Sequence, residues 1–260
     1  MDLNTIRLLA GQDISIDFKE GILILDYGKN SFKFLIDPEK RNCYLKIMAV
    51  IDDDPEVKVV LTLADPDSLG EENFNQYLRK ICGSDVELND LGNSWAFKKN
   101  IDRSRQIYFH HYTIEQRLSS KKIIIDGLRG SVVTPFFGET LSADLRYATS
   151  DMRFSLVHKK YGLYPNGGLA FFLPRYVGQG KASELMLTSD SIDAEQALEL
   201  GLITAILPSD DFVLECIKQA KKISSMNRST IESTKLLSTL YKKELDSYFE
   251  AEKSLVAYFF

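Results

Sequence analysis

The sequence predicts an α/β fold with a helical C-terminal region. Residues 22–65 run in the order strand, helix, strand, and another apolar strand, "KKIIIDGL" at 121–128, opens a similar unit. Helical periods dominate from residue 194 onwards. Strand, helix and strand in this order form a parallel pair joined by a right-handed crossover. We therefore expect an α/β core over residues 1–194 and a helical region over residues 195–260.

The first elements are a hairpin, a helix and a strand. Apolar residues alternate on both sides of the Lys19-Glu20-Gly21 turn in "ISIDFKEGILILDY", which is typical of two antiparallel strands. Segment 38–57 has apolar residues at helical spacing, and Asp54-Pro55 closes the helix. The apolar run "VKVVLTLAD" at 57–65 then predicts a buried strand.

A polar stretch from Gly70 to Ser120 separates this strand from the next one. Its middle, "CGSDVELNDLGNSW" at 82–95, is rich in turn residues. Loops of this length in a compact domain commonly serve as lids or binding loops. The stretch ends in a predicted helix at 101–118. Four residues of that helix are expected to share a face: Ile107, Tyr108, His111 and Ile114.

The C-terminal region predicts a series of helices without an internal repeat. "AEQALELG" at 194–201 ends in Gly201, and glycine commonly follows the last turn of a helix. Longer helical patterns follow at 210–224 and at 229–260.

Composition argues against several functional classes. The net charge of −5 disfavours a nucleic-acid partner, although lysine pairs at 159–160, 221–222 and 242–243 would suit either phosphate groups or solvent. The sequence has neither a leader pattern at its start nor an apolar run of membrane-spanning length. The cysteines are odd in number and far apart, so they predict neither a disulfide framework nor a metal site. We expect a cytoplasmic protein with no membrane partner.

The segment Lys122–Asp144, "KIIIDGLRGSVVTPFFGETLSAD", leads from a strand through a turn into a helix. Such junctions bind anionic groups because the first helical turn has unpaired N–H donors. Thr134 is the expected N-cap of this helix, and Pro135 follows it. Proline starts a helix well, but it has no N–H to donate.

A series of motifs runs from Lys121 to Pro208. Its members are Gly130, Asp144, Phe154, "GLYPNGG" at 162–168, "LPRYVGQGKASELMLT" at 173–188 and "IDAEQALELGLITAILP" at 192–208. In this order and spacing the motifs resemble the crotonase family, the enoyl-CoA hydratase and isomerase superfamily. The resemblance extends weakly upstream, where residues 52–74 lie where the family has a strand followed by an oxyanion-hole loop.

The resemblance implies a spiral of strand, strand and helix units, with C-terminal helices that form trimer or hexamer contacts or cover the site. It implies an acyl-CoA thioester as substrate, with coenzyme A part of that substrate, and neither a separate cofactor nor a metal. Two backbone N–H groups would hold the thioester oxygen and stabilise an enolate or a tetrahedral anion.

The resemblance also implies where those two N–H donors lie. The family's glycine run corresponds to residues 134–136, so one donor position falls on Pro135. A shift by one residue would let the N–H of Phe136 replace it. The second donor would be Gly70, which suits close backbone approach.

The resemblance places the two glutamates of hydratases on Gly138 and His158, so hydration by paired carboxylates is not expected. His158 could act as a general acid or base, since its ordinary pKa is near 6.5. The alternative is a surface histidine beside Lys159 and Lys160. Glu139 directly follows Gly138, the first of these two positions. A local shift of the helix could bring the Glu139 side chain into the site, but we expect it to face solvent.

Several further positions have open roles. Asn166 lies in a loop where some family members carry a catalytic aspartate, but an amide is neither a nucleophile nor a base, so a turn residue before Gly167-Gly168 is the alternative. His110 and His111 lie on the helix before the core strand, where one of the two side chains could face the cavity, and His111 is taken as a weak candidate. Phe136 and Phe137 are expected to fill the space that glycines would leave, which narrows or closes the acyl pocket.

These residues leave more than one function open. One hypothesis is an isomerase, lyase or hydrolase in which Gly70, Phe136 and His158 handle a thioester enolate. The alternative is a non-catalytic homologue that serves as a scaffold or binds acyl-CoA. In a third hypothesis the acyl group is bound to a carrier protein.

Overall fold

A six-stranded sheet forms the centre of the part of the chain that the structure describes. The computed structural model describes residues 3–32, 37–83, 87–94, 97 and 100–257. In spatial order the strands of this sheet are β1 (Ser15–Lys19), β2 (Ile22–Asp26), β3 (Val59–Leu63), β4 (Ile123–Leu128), β6 (Leu145–Ala148) and β9 (Ala205–Ile206). Strands β1 and β2 are antiparallel, and the other neighbouring strands are parallel.

A second, smaller sheet lies beside the first. It contains β5 (Ser131–Val133), β7 (Arg153–Ser155) and β8 (Ser191–Asp193), in that order. The chain passes from β4 in the main sheet to β5 in the smaller one, and again from β6 in the main sheet to β7 in the smaller one. A helix follows β5, which gives the repeated unit of two strands and a helix that the sequence led us to expect.

Helices surround both sheets, and they are numbered here in chain order. Before β4 these are α1 (Leu3–Ala10), α2 (Pro38–Asp53), α3 (Glu71–Cys82) and α4 (Ile101–Ser119). After β5 they are α5 (Thr134–Thr140), α6 (Leu169–Val177), α7 (Gln179–Thr188), α8 (Ala194–Glu199), α9 (Phe212–Ser224), α10 (Arg228–Ser238) and α11 (Leu245–Ala257). Short 3-10 helices lie at Leu88–Asn93, Val157–Tyr161 and Leu240–Glu244.

The C-terminal region contributes to the core of the sheet. Every residue of β3 is buried, because helices cover both of its faces. On one face Phe212 and Cys216 of α9 belong to the same apolar cluster as Leu61 and Ile125. Strand β9 extends the main sheet beyond β6. The division at residue 194 stays a prediction, and both of these elements lie beyond it.

Most of the predicted elements are confirmed, including the hairpin, the helix at 38–53 and the parallel strands. Helix α3 replaces part of the expected loop, and the remainder of that loop lies partly outside the described residues. Of the four residues expected to share a face of α4, Ile107, His111 and Ile114 are buried, whereas Tyr108 is 42% exposed. Among the described residues, no helix combines the length and apolar character that crossing a bilayer requires.

Candidate active site

A small cavity lies at the carboxyl ends of β2, β3 and β4, where open parallel sheets commonly bind ligands. Its volume is about 80 Å³. That is several-fold below the roughly 300–1,000 Å³ of pockets that enclose drug-sized ligands. Its walls are mainly apolar, and the polar side chains among them are Tyr27, Ser31, Tyr44, Thr62, Thr113, Arg117, Asp126, Glu139 and Thr140.

Glu139 points into this cavity rather than into solvent, which corrects our expectation for its side chain. The residue lies in α5 and is only 7% exposed. Helix α5 is buried along its whole length between α4 and α6, so it has no solvent face to offer. A buried carboxylate requires hydrogen-bond donors, because desolvation of the charge is otherwise costly.

His110 of α4 supplies the main donor. Its Nδ1–H donates to Oε2 of Glu139 at 2.6 Å. The side-chain amide of Gln106 donates to Nε2 of His110 at 3.5 Å. A carboxylate only accepts hydrogen bonds, so the contact with Glu139 places a proton on Nδ1. His110 therefore fixes the orientation of the carboxylate.

Arg117 lies on the same side of α4, two turns further along. Its Nη1 donates to Oδ2 of Asp126 at 2.7 Å, and its Nη2 lies 3.8 Å from Oε1 of Glu139. Burial acts to lower the pKa of Arg117, but the nearby Asp126, Tyr44 and Glu139 outweigh it and raise that pKa well above its usual value. Thr62 and Thr140 donate to Asp126, so the buried ion pair is well hydrogen-bonded.

Two tyrosines add phenol groups to the cavity wall. Burial raises the pKa of Tyr44 to about 12 and the pKa of Tyr27 well above its ordinary value. Their rings lie 6.3 Å apart between centroids. Both phenols therefore keep their protons at neutral pH.

The start of α5 differs in one detail from the expectation. The N-cap residue is Val133, and Thr134 is the first helical residue. Thr134 does not cap, because its hydroxyl donates instead to the carbonyl oxygen of Ser155 at 3.2 Å. Pro135 occupies the first turn, where a missing N–H leaves no helical hydrogen bond unmade. The next N–H along the chain belongs to Phe136.

Phe136 and Phe137 occupy the space beside the cavity. The ring of Phe136 lines the cavity and meets the His110 ring edge to face, with centroids 5.3 Å apart. Phe137 points the other way and stacks on Phe154 at 3.9 Å. The aromatic ring at 136 therefore accounts for part of the small cavity volume.

Gly138 packs against backbone rather than facing the cavity. A Cβ at this position would lie 2.3 Å from the carbonyl oxygen of Gly167 and 2.5 Å from the nitrogen of Leu169. Side-chain atoms never approach backbone so closely. Helix α5 thus meets the turn before α6 through a contact that only glycine permits.

Gly70 forms the turn that precedes α3. Its N–H donates to the carbonyl oxygen of Asp67 at 2.8 Å, and a Cβ would lie 2.7 Å from that same oxygen. The neighbouring Leu69 lines the cavity, whereas Gly70 lines a separate surface groove. The oxyanion role of Gly70 stays a prediction.

His158 lies outside the set of residues that line the cavity. It is 5% exposed, so it is not the surface histidine that we considered. Its Nε2–H donates to the carbonyl oxygen of Met186 at 2.9 Å, and Nδ1 is 3.2 Å from the Thr134 hydroxyl. Burial lowers the pKa of His158 to about 4, so the ring is neutral at physiological pH.

Asn166 and His111 also lie apart from the cavity lining. Asn166 is buried in the turn before α6, which confirms the expected turn. His111 points to the other side of α4 from His110. Its Nε2 pairs with Glu252 of α11, and its ring stacks on Phe249 at 3.9 Å. Of the two adjacent histidines, His110 is the one beside Glu139.

The sequence-based reasoning preferred His111 to His110, which was wrong, and it missed Arg117 and Asp126 of the cluster around Glu139. One signal was present in the sequence. Gln106, His110, Thr113 and Arg117 are spaced by three or four residues, which places them on one helical face. All of them are buried. A polar stripe on a buried helix face indicates a polar site, whereas we followed the apolar positions.

Comparisons with known proteins agree with the resemblance seen in the motifs. A sequence model described as enoyl-CoA hydratase/isomerase matches residues 95–260. A probable enoyl-CoA hydratase of Mycobacterium tuberculosis is 31% identical over 132 residues, or 50% of this chain and 46% of that protein. A crotonyl-CoA hydratase of Syntrophomonas wolfei is 23% identical over 193 residues, or 72% of this chain and 66% of that protein. The chain thus spans about half the length of the more similar curated relatives it matches.

Solved structures share the fold. An enoyl-CoA hydratase/isomerase from Pseudoalteromonas atlantica has a TM-score of 0.74 at 21% identity, covering 95% of this chain and 90% of that one. An enoyl-CoA hydratase from Bacillus halodurans has a TM-score of 0.73 at 20% identity, covering 95% of this chain and 94% of that one. At these identities the likeness shows the fold alone, and it confirms the predicted crotonase-like α/β class.

Proposed function

This chain belongs to the enoyl-CoA hydratase/isomerase family, and we propose that it binds a short acyl-CoA thioester in the cavity beside Glu139 and moves a proton at the carbon next to the thioester carbonyl. One observation carries the proposal. The Glu139 carboxylate lines a small, mainly apolar cavity and is held there by His110. A buried, oriented carboxylate is a suitable general base for a carbon acid.

The reaction needs few groups. Glu139 takes the α-proton of the acyl group, and the electron pair passes into an enolate. The N–H of Phe136 is the proposed donor to the enolate oxygen, since Pro135 has none. Glu139 then returns the proton to the α-carbon, which regenerates the substrate. In a β,γ-unsaturated acyl group it can instead return the proton to the γ-carbon, which shifts the double bond to the α,β position. One carboxylate suffices for this isomerisation.

Hydration of a double bond fits these residues less well. In the family correspondence, its two glutamates fall on Gly138 and His158. Gly138 faces the backbone of Gly167 with no room for a side chain, and His158 is held by Met186. We therefore favour proton transfer within the acyl group over addition of water.

The CoA portion has a suitable place next to the cavity. A surface groove of about 1110 Å³ adjoins it along residues 68–70. Lys29, Arg153 and Lys160 line the groove and could meet phosphate groups, although carboxylates line it too. We propose that the acyl group enters the cavity past Leu69 while CoA stays in the groove.

Binding without catalysis is the second candidate, and two observations favour it. Pro135 supplies no N–H, and the N–H of Gly70 already donates to Asp67. If Phe136 is the sole donor to the thioester oxygen, enolate stabilisation is weak. Such a protein would hold acyl-CoA as a scaffold or carrier.

Proton NMR of butyryl-CoA with the protein in D₂O separates the two candidates. Line broadening reports binding, and loss of the α-proton signal reports enolate formation. We expect both. Broadening alone with butyryl-CoA and with a β,γ-unsaturated acyl-CoA would favour the binding protein, and neither signal would contradict the proposed function.

A further inference from the structure

Two polar atoms in the cavity wall have no hydrogen-bond partner within the described part of the chain: Oγ1 of Thr113 and Nε of Arg117. Both are buried, and both residues line the cavity. They are four residues apart on α4, so they lie one above the other on the same face. Unpartnered polar atoms are rare inside proteins, and each costs free energy.

The two atoms do not form a hydrogen bond with each other either. The remaining arms of the Arg117 guanidinium are directed to Asp126 and Glu139, which leaves its Nε–H as an unused donor. A guanidinium has donors only, while the Thr113 hydroxyl donates and accepts. Both groups are therefore satisfied by one oxygen atom that accepts hydrogen bonds.

The charges nearby decide which oxygen fits. Asp126 and Glu139 line the same cavity, so a carboxylate on the ligand would meet two like charges. A neutral acceptor avoids this repulsion. The rest of the wall includes Leu63, Leu69 and Leu128, which suit the hydrocarbon part of an acyl chain.

Building on the proposed function, we infer that the acyl group carries a neutral oxygen acceptor, such as a ketone, which binds Thr113 and Arg117. The cavity thereby selects oxo-acyl thioesters over purely hydrocarbon ones. Sites that contain buried groups awaiting a polar partner discriminate strongly against ligands that lack it.

Matched ligand pairs test this inference by calorimetric titration. The first pair is 3-oxobutanoyl-CoA and 3-methylbutanoyl-CoA, in which a methyl group replaces the ketone oxygen. The second pair is 4-oxopentanoyl-CoA and 4-methylpentanoyl-CoA, which moves the oxygen by one carbon. We expect the oxo ligand of at least one pair to bind about tenfold more tightly than its partner.

Two variants assign that preference to the cavity. Thr113→Val removes one of the two groups that bind the oxygen and leaves Arg117 in place, so it should reduce the ratio of affinities from about tenfold to about threefold. Thr149→Val is the control, because Thr149 is also buried with an unpartnered hydroxyl but does not line the cavity. It should keep the preference.

The results separate this inference from the proposed function. Equal affinities within both pairs, or a preference that Thr113→Val leaves unchanged, would overturn the inference while acyl-CoA binding still stands. In that case the two atoms bind only water. If none of the four thioesters binds, the proposed function fails and the inference fails with it.

Discussion

The Nδ1–H of His110 donates to the carboxylate of Glu139 at 2.6 Å, across the interface between α4 and α5. The two residues are 29 positions apart in the sequence, and each is buried. Because the amide of Gln106 contacts the other ring nitrogen, the Nδ1–H of His110 stays directed at Glu139. The carboxylate thus has a fixed direction in a cavity that otherwise is mainly apolar.

His158 should make stability depend on pH in a specific window. Its pKa is about 4 in the folded protein and near 6.5 when unfolded, so only the unfolded chain takes up a proton between these values. The free energy of unfolding should therefore fall as pH drops from 6.5 to 4, by up to about 3 kcal/mol. Urea unfolding across this range measures it.

His158→Gln is the matched variant, because its amide keeps a donor for Met186 and does not titrate. Carboxylates contribute to the pH dependence of both proteins, so the difference between the two curves isolates His158. Parallel curves would show that the folded state tolerates a charged His158.

Gly138→Ala should destabilise the protein, because its Cβ would lie 2.3 Å from the carbonyl oxygen of Gly167. We expect a loss of about 1–3 kcal/mol in urea unfolding, and more for Gly138→Glu. Gly180→Ala is the control: its added Cβ meets no atom within 4 Å, and alanine favours the helix. A stable Gly138→Glu variant with hydratase activity would refute the packing account.

Asp126→Asn should be costly because it removes the nearer of the two carboxylates that face the buried Arg117 charge. We expect a loss of about 3–5 kcal/mol. Asp190→Asn is the control, since its pairing with Lys159 is exposed and should be worth less than about 1 kcal/mol. Similar losses in the free energy of unfolding for the two variants would mean that the buried ion pair stabilises the protein no more than the exposed one.

Glu252→Ala should loosen α11 from the body of the protein. Glu252 pairs with His111 of α4 across the interface between the two helices, and it accepts a hydrogen bond from Tyr248 of its own helix. Amide hydrogens of α11 should exchange with solvent markedly faster in this variant. Glu250→Ala removes only an exposed pair with Lys253 and should leave exchange unchanged. Equal protection in both variants would contradict this docking role.

The sequence predicted the fold better than the site because strands and helices leave periodic patterns. The hairpin and the strands β3 and β4 were predicted directly from alternating or continuous apolar residues. Helix α3 was missed because its apolar residues, such as Phe74 and Leu78, stand among many charged ones that we assigned to a loop.

The site depends on contacts that no local pattern specifies. Glu139 seemed solvent-exposed because the helix at 134–140 was judged by itself, whereas α4 and α6 bury every side of it. The choice between His110 and His111 depends on the rotation of α4 about its axis. That rotation follows from packing with α5 and α11, which adjacent positions in a sequence do not reveal.

The most direct measurement for the central claim is the rate of α-proton exchange of an acyl-CoA in D₂O, compared among wild type, Glu139→Gln and His158→Gln. The account predicts that Glu139→Gln still broadens the ligand signals but loses exchange by about 100-fold or more, while folded His158→Gln keeps exchange close to wild type. Full exchange in Glu139→Gln together with its loss in His158→Gln would contradict the account and assign the base to His158.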